Sequence, residues 1–303
     1  MHDRRLVLLL LVPSLAITLL MALYPLGYSL LVSFRDWRLA KSPEPGPFVG
    51  WENYKLLLTD DPEFLASALV TLKFVVANVC VTLLVAMIIA VVLQRAGRLY
   101  SITRTLLIIP FVMSPALIGV SFRFMLNPEY GVLHSMVAGV VPALKNTVWL
   151  SDSDWAMVAL VMADVWHWAP YMALVLLGGL ASVPKDSIEA AQVDGASAWR
   201  AFFTIVLPQM KPVIAVVLVL KTVFALKTFD MVYTLTRGGP GASTQTLAYQ
   251  IYTTGFQFYD MGYAAAAAYL LTAVLMVLAG FYVRLMFASE RGNERAAQGA
   301  GHD

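Results

Sequence analysis

Long apolar runs separated by short polar stretches dominate the chain. A helix needs about 20 apolar residues to cross a bilayer, and the runs predict six spans: 6–34, 64–93, 105–126, 155–180, 213–229 and 262–287. Prolines fall inside several of them: Pro13 and Pro25 in the first, Pro110 and Pro115 in the third, Pro170 in the fourth. Proline removes a backbone donor and kinks or ends a helix, so these spans are expected to be bent. The fold class read from this pattern is all-α and polytopic, a transmembrane domain over 1–290 followed by a disordered tail at 291–303. The first run is longer than a signal-peptide core and lacks a clear small-residue cleavage site, so it reads as a retained span. No internal repeat is evident.

Between the fourth and fifth runs, in a loop over 181–212, lies the longest amphipathic segment. It opens with helix formers, Glu189, Ala190, Ala191 and Gln192, bends or breaks at Gly195, and resumes as a second helix from Ala196 to Leu207 that Pro208 stops. Its small residues allow another protein to approach closely. The segment reads as a helical elbow gripped from the water side.

Basic residues orient the spans. With six spans, one side carries Arg4, Arg5, Arg95, Arg98, Arg104, Lys185, Arg200, Lys211, Arg284, Arg291 and Arg295. The other carries Arg35, Arg38, Lys41, Lys55, Lys145 and Arg237, over longer loops with more carboxylates. The bias of Lys and Arg toward the cytoplasm puts both termini and the Glu189 segment there.

Composition agrees. Of 303 residues, 59% are hydrophobic and 13% charged, about half the charge of a soluble domain. A net charge of +2 gives no case for nucleic acid. The single cysteine, Cys80, excludes a disulfide framework and a cysteine-based metal site. His2, His134, His167 and His302 show no metal spacing, and no G-x-x-x-x-G-K-[ST] phosphate loop is present. No local pattern suggests catalytic residues. The chain therefore reads as binding no metal or cofactor itself, and as not an enzyme.

Ionisable groups inside spans face a cavity or a partner. Lys73, Arg123, Asp164, Lys221, Lys227 and Asp230 are the candidates. Arg123 lies near a span end and is read as snorkelling. Lys227 and Asp230 have helical pair spacing and are read as a structural ion pair, with a substrate role as the alternative. Asp164 either orients His167 or pairs with a lysine. Lys221 either pairs with Asp164 or meets an anionic substrate. Trp168 and Tyr171 share one helix face, and Lys221, Phe224 and Thr228 another. Aromatic faces with polar neighbours suit a sugar, although aromatics at helical spacing also occur in ordinary packing.

The segment EAAQVDGASAWRAFFTIVLPQMKP resembles the EAA loop of ABC importer permeases: Glu189, Ala190, Ala191, Gly195, Ile205, Leu207 and Pro208 stand at that family's spacing. The external stretches FVGWENYKLLLTDDPEF and LTRGGPGASTQT resemble those of carbohydrate-uptake, maltose-type permeases, specifically the larger permease. The extra N-terminal spans and large external domain of that subunit have no counterpart here, so its external contacts are not carried over.

The resemblance implies a permease subunit of an ABC importer in the inner membrane, with six transmembrane helices and a cytoplasmic coupling helix. The cargo would be a sugar, polyol or derivative, including a sulfonated or phosphorylated sugar or glycerol phosphate. It implies a second, different permease, two ATPase subunits that bind ATP and Mg, and a periplasmic or lipid-anchored substrate-binding protein. ATPase coupling falls on Glu189, Ala190, Ala191, Asp194, Gly195 and Ala196. The substrate pathway falls on His167, Trp168, Tyr171, Lys221, Phe224, Ala225 and Thr228. A stand-alone ion-coupled carrier and a membrane-embedded enzyme are the alternatives.

Overall fold

The computed structural model describes residues 2–94 and 100–299. Among these the secondary structure is helical, with two isolated bridges, Arg35 to Phe48 and Arg38 to Asp260, and no strand longer than a bridge. In chain order the helices are α1 (His2–Ser33), α2 (Glu52–Thr59), α3 (Pro62–Gln94), α4 (Tyr100–Leu106), α5 (Ile108–Val112), α6 (Pro115–Met125), α7 (Val132–Val140), α8 (Ser153–Ala181), α9 (Lys185–Val193), α10 (Ala198–Ala201), α11 (Leu207–Gln209), α12 (Lys211–Leu226), α13 (Leu247–Tyr252) and α14 (Met261–Gly299). Short π-helical turns occupy Phe202–Val206, Val232–Thr236 and Thr253–Gln257.

Among the described residues four helices are long and apolar enough to cross a membrane: α1, α3, α8 and α14. The number rises to six if each of two bent pairs counts as one span. The predicted third span is one of those pairs. Its halves meet at 94°, because Met113 and Ser114 are extended (ψ 143° and 132°) and Pro115 opens the next helix at its first turn.

The predicted fifth span is shorter than expected, ending at Leu226 rather than near 229. It follows a 68° bend from the α10–α11 path. Pro208 does not stop the preceding helix. It sits inside α11, directly after the π turn at Phe202–Val206, where the wider turn accommodates proline's missing donor. Helix α14 continues to Gly299, across residues 291–299 for which composition suggests no order. Residues 300–303 and 95–99, including Arg95 and Arg98, lie outside the described residues.

The chain forms two compact units, Met1–Leu65 with Gln250–Val274, and Ala66–Tyr249 with Leu275–Asp303. In the first, the α1 span buries none of its apolar window, as a lipid-facing helix does. Beyond it, Asn53 donates to the carbonyls of Ser33 (2.9 Å) and Arg35 (3.0 Å). Arg38 pairs with Asp260 at 3.2 Å.

The second unit is built around α8. Asp152 caps it, accepting from the backbone N–H groups of Asp154 and Trp155 at 3.0 Å each. Small residues at Ala156, Ala159, Ala163 and Ala173 are fully buried and let neighbouring backbones come close. One core cluster gathers Phe74, Ile118, Phe122, Leu160, Ala225, Met231 and Leu235. A second gathers Ala86, Ala90, Met172, Leu176, Met210 and Val217. Helix α8 contributes to both, and 61% of its apolar window is buried.

Candidate functional site

Where α12 ends, the second unit holds a pocket of about 170 Å³. It is lined by Pro115, Asp164, Trp168, Phe224, Lys227, Thr228, Phe229, Asp230 and Met231. Three elements meet at it: the start of α6, the middle of α8 and the unwound stretch after α12. Trp168 and Phe224 stack with centroids 4.3 Å apart, giving a flat aromatic wall. Behind Trp168, Phe111 stacks on Tyr171 at 4.2 Å and 11° and meets Trp168 edge-on at 5.4 Å. Tyr171 is thus a backing residue whose ring face is taken.

Beneath the pocket lies a buried polar chain. Lys221 and Asp164 form an ion pair, their side chains 1% and 3% exposed. Asn78 on α3 donates to the same carboxylate oxygen at 2.8 Å, and Thr82 donates to the Asn78 amide oxygen at 3.2 Å. The ammonium also lies 5.4 Å from the Trp168 ring centroid, a cation–π distance. A buried ion pair holds only with good geometry and further hydrogen bonds, and Asn78 supplies one. Of the two partners the sequence offers Asp164, the structure selects the lysine.

His167 instead donates through Nδ1 to the carbonyl of Pro110 at 2.9 Å. That carbonyl, near the end of α5, also accepts from Met113 N–H at 3.3 Å, so His167 adds a second bond from α8 beside the break in the third span. His134 is a core histidine, accepting from Trp149 Nε1 at 3.0 Å.

Of the residues the resemblance assigned to a pathway, the pocket takes in Trp168, Phe224 and Thr228. His167, Tyr171, Lys221 and Ala225 lie outside its lining. The expected Lys227–Asp230 ion pair is absent: α12 stops at Leu226 and helix resumes at Asp230, so the two never share a continuous turn. Asn78, Phe111 and Pro115 were not among the site candidates. Asn78, a lone amide in an otherwise apolar stretch of α3, carried a signal that its partner be polar and buried.

The unwound stretch is held from outside. Thr246 donates to the Thr228 carbonyl at 3.1 Å, and Leu247 N–H donates to Thr71 Oγ1 at 2.8 Å. Between Thr236 and Thr246 the loop turns through left-handed Arg237, Gly238 and Gly241 and a cis Gly239–Pro240 bond. Thr244 donates to the Gly239 carbonyl at 2.8 Å.

The second candidate feature is α9 with the turn after it. None of α9 is buried. Gly195 has φ +82°, its N–H donates to Gln192 O at 3.0 Å, and Ala196 N–H donates to Ala191 O at 2.9 Å. These two bonds form the Schellman stop, with glycine at the left-handed position. They explain the four-residue step from Ala191 to Gly195. Nothing lies within 4 Å of a Cβ placed on Gly195, so its backbone, not crowding, requires glycine. Ser197 then caps α10, accepting from Arg200 N–H at 3.3 Å. Val193, Trp199 and Phe203 stand out at 88%, 74% and 56% exposure. Exposed apolar groups of this kind on a polar elbow suit contact with another chain.

Helices long and apolar enough to cross a membrane, an open pocket among them with an aromatic wall and charged groups, and an exposed helical elbow fit a membrane transport subunit. Residues 82–290 match the family described as binding-protein-dependent transport system inner membrane component. The chain belongs to that family and is a permease subunit of an ABC importer.

It is 34% identical to the sulfoquinovosyl glycerol transport system permease SmoG of Agrobacterium fabrum, over 94% of this chain and 91% of that one. It is 32% identical to the trehalose transport system permease SugA of Mycobacterium tuberculosis, over 97% and 92%. Its fold resembles a chain of a bacterial ABC transporter involved in the import of the acidic polysaccharide alginate, at TM-score 0.79 and 22% identity, covering 94% and 96%.

Proposed function

We propose that this permease carries a sugar, polyol or sugar derivative, with the pocket at the end of α12 on the substrate pathway. The pocket carries the reading: a Trp168–Phe224 wall faces polar and charged groups from Thr228, Lys227 and Asp230. A ring of hydroxyls needs that mixture, because stripped donors must find partners while the ring's apolar face stacks on an aromatic one. The similar permeases named for sulfoquinovosyl glycerol and for trehalose support a range from sulfonated to neutral sugars. Phosphorylated sugars and glycerol phosphate fall within the same chemistry. In this reading Lys221, offset by its ion pair with Asp164, is not the group that receives an anion.

The bent pairs count as single spans in this reading, giving six, with the termini and the Glu189 elbow cytoplasmic. The elbow, through Glu189, Ala190, Ala191, Asp194, Gly195 and Ala196, seats on one of two ATPase subunits, which bind ATP and Mg. A second, different permease completes the pathway, and an external binding protein delivers the substrate.

The test is made on the assembled importer in proteoliposomes. Trp168→Ala is expected to cut uptake about tenfold with the partner subunits still copurifying. Gly195→Trp is expected to leave the chain in the membrane and abolish substrate-stimulated ATP hydrolysis. Undiminished uptake by the first variant and undiminished hydrolysis by the second would remove the assigned pathway and elbow.

A further inference from the structure

Four charged side chains border the pocket or lie directly behind it, and they are not equivalent. Asp164 lines the pocket, but one of its oxygens is held by both Lys221 and Asn78. Lys221 is buried behind that carboxylate, and the pair contributes no net charge. Lys227 and Asp230 also line the pocket, both are exposed, and neither has an ion-pair partner among the described residues. Their separation has a structural cause. Helix α12 ends at Leu226, Lys227 leaves helical geometry at ψ 2°, and helix resumes only at Asp230. On a continuous helix their three-residue spacing would join them. Thr246, bonded to the Thr228 carbonyl, holds the break open.

We propose that this break creates a charged subsite, with Lys227 receiving an acidic group of the substrate and Asp230 accepting hydrogen bonds from its hydroxyls. Lys221 takes no part in sensing charge. The ligand class is a sugar or polyol bearing one sulfonate, phosphate or carboxylate. The inference rests on the pathway proposed above.

The experiment reads the field in the pocket and needs no knowledge of the natural substrate. In the assembled importer, Cys80 is replaced by serine and Thr228 by cysteine. The modification rates of that thiol by sulfonatoethyl and trimethylammonioethyl methanethiosulfonate are then compared. Unit charges roughly 6 Å apart in water change each rate about threefold, in opposite directions. Lys227→Gln is therefore expected to lower the sulfonate-to-ammonium ratio about tenfold, and Asp230→Asn to raise it comparably. The isoelectric double variant Asp164→Asn with Lys221→Gln is expected to leave it within about twofold. A ratio that ignores Lys227→Gln, or that moves as far with the double variant, overturns the inference and leaves the pathway standing. A thiol at 228 that neither probe reaches overturns both.

Discussion

Helix α8 and helix α9 are separated by a few residues and are made in opposite ways. Helix α8 is buried along most of its length, and its site residues gain their roles from distant partners: Asp164 from Lys221 and Asn78, His167 from Pro110. Helix α9 has no fully buried residue, only Ile188 packing partly against the second core cluster, and its end is shaped by bonds within six residues, closed by Gly195. The difference separates a site fixed by tertiary packing from a surface whose form rests on local bonds while its outer face stays exposed.

The sharpest way to break this contrast is to remove one half of the buried pair. Asp164→Ala leaves an uncompensated ammonium and should cost about 3–5 kcal/mol, read as a large fall in the melting temperature of the purified importer. Adding Lys221→Met should recover much of that loss, because the orphaned charge goes with it. A double variant as unstable as the single would mean that the pair's partners, rather than its charge balance, hold α8.

On the other side of the comparison, Gly195→Ala should loosen the end of α9 by about 1–2 kcal/mol, since alanine resists the left-handed backbone. Gly195→Asn should cost much less, because asparagine tolerates that position. Substrate-stimulated ATP hydrolysis in the two variants checks the order. If alanine and asparagine behave alike, backbone conformation is not what the elbow needs.

Asp152→Ala should cost about 1 kcal/mol through the lost cap of α8, measured by thermal unfolding. The smallest effect on stability is expected from Trp199→Ala: within about 0.5 kcal/mol, as for an exposed side chain without buried contacts. ATPase copurification should nevertheless fall. Unchanged copurification would place Trp199 outside the contact surface.

What was legible in the sequence follows the same division. The apolar runs of α1, α3, α8 and α14 were readable because each is long and predominantly apolar, despite Pro13, Pro25 and Pro170. The turn at Gly195 was readable because its determinants are neighbours in the chain. The 94° break at Met113–Ser114 was half-written: Pro115 was visible, but two prolines five residues apart do not say whether a span bends slightly or turns. The end of α12 before Lys227 had no local stop signal, neither glycine nor proline. It depends in part on Thr246 bonding across to the Thr228 carbonyl. Asn78 meeting Asp164 across 86 positions of chain was likewise beyond local pattern.

The same Thr246 bond has a mechanical consequence. Through the Thr246 hydroxyl it ties the end of the loop that contains Gly238, Pro240 and Gly241 to the carbonyl of a pocket-lining residue. A push that displaces this loop is therefore felt at Thr228 through a single contact, and Lys227 precedes Thr228 directly in the chain. The bond thus offers a load applied to the loop a route to the charged groups that does not run through the packed core around α8.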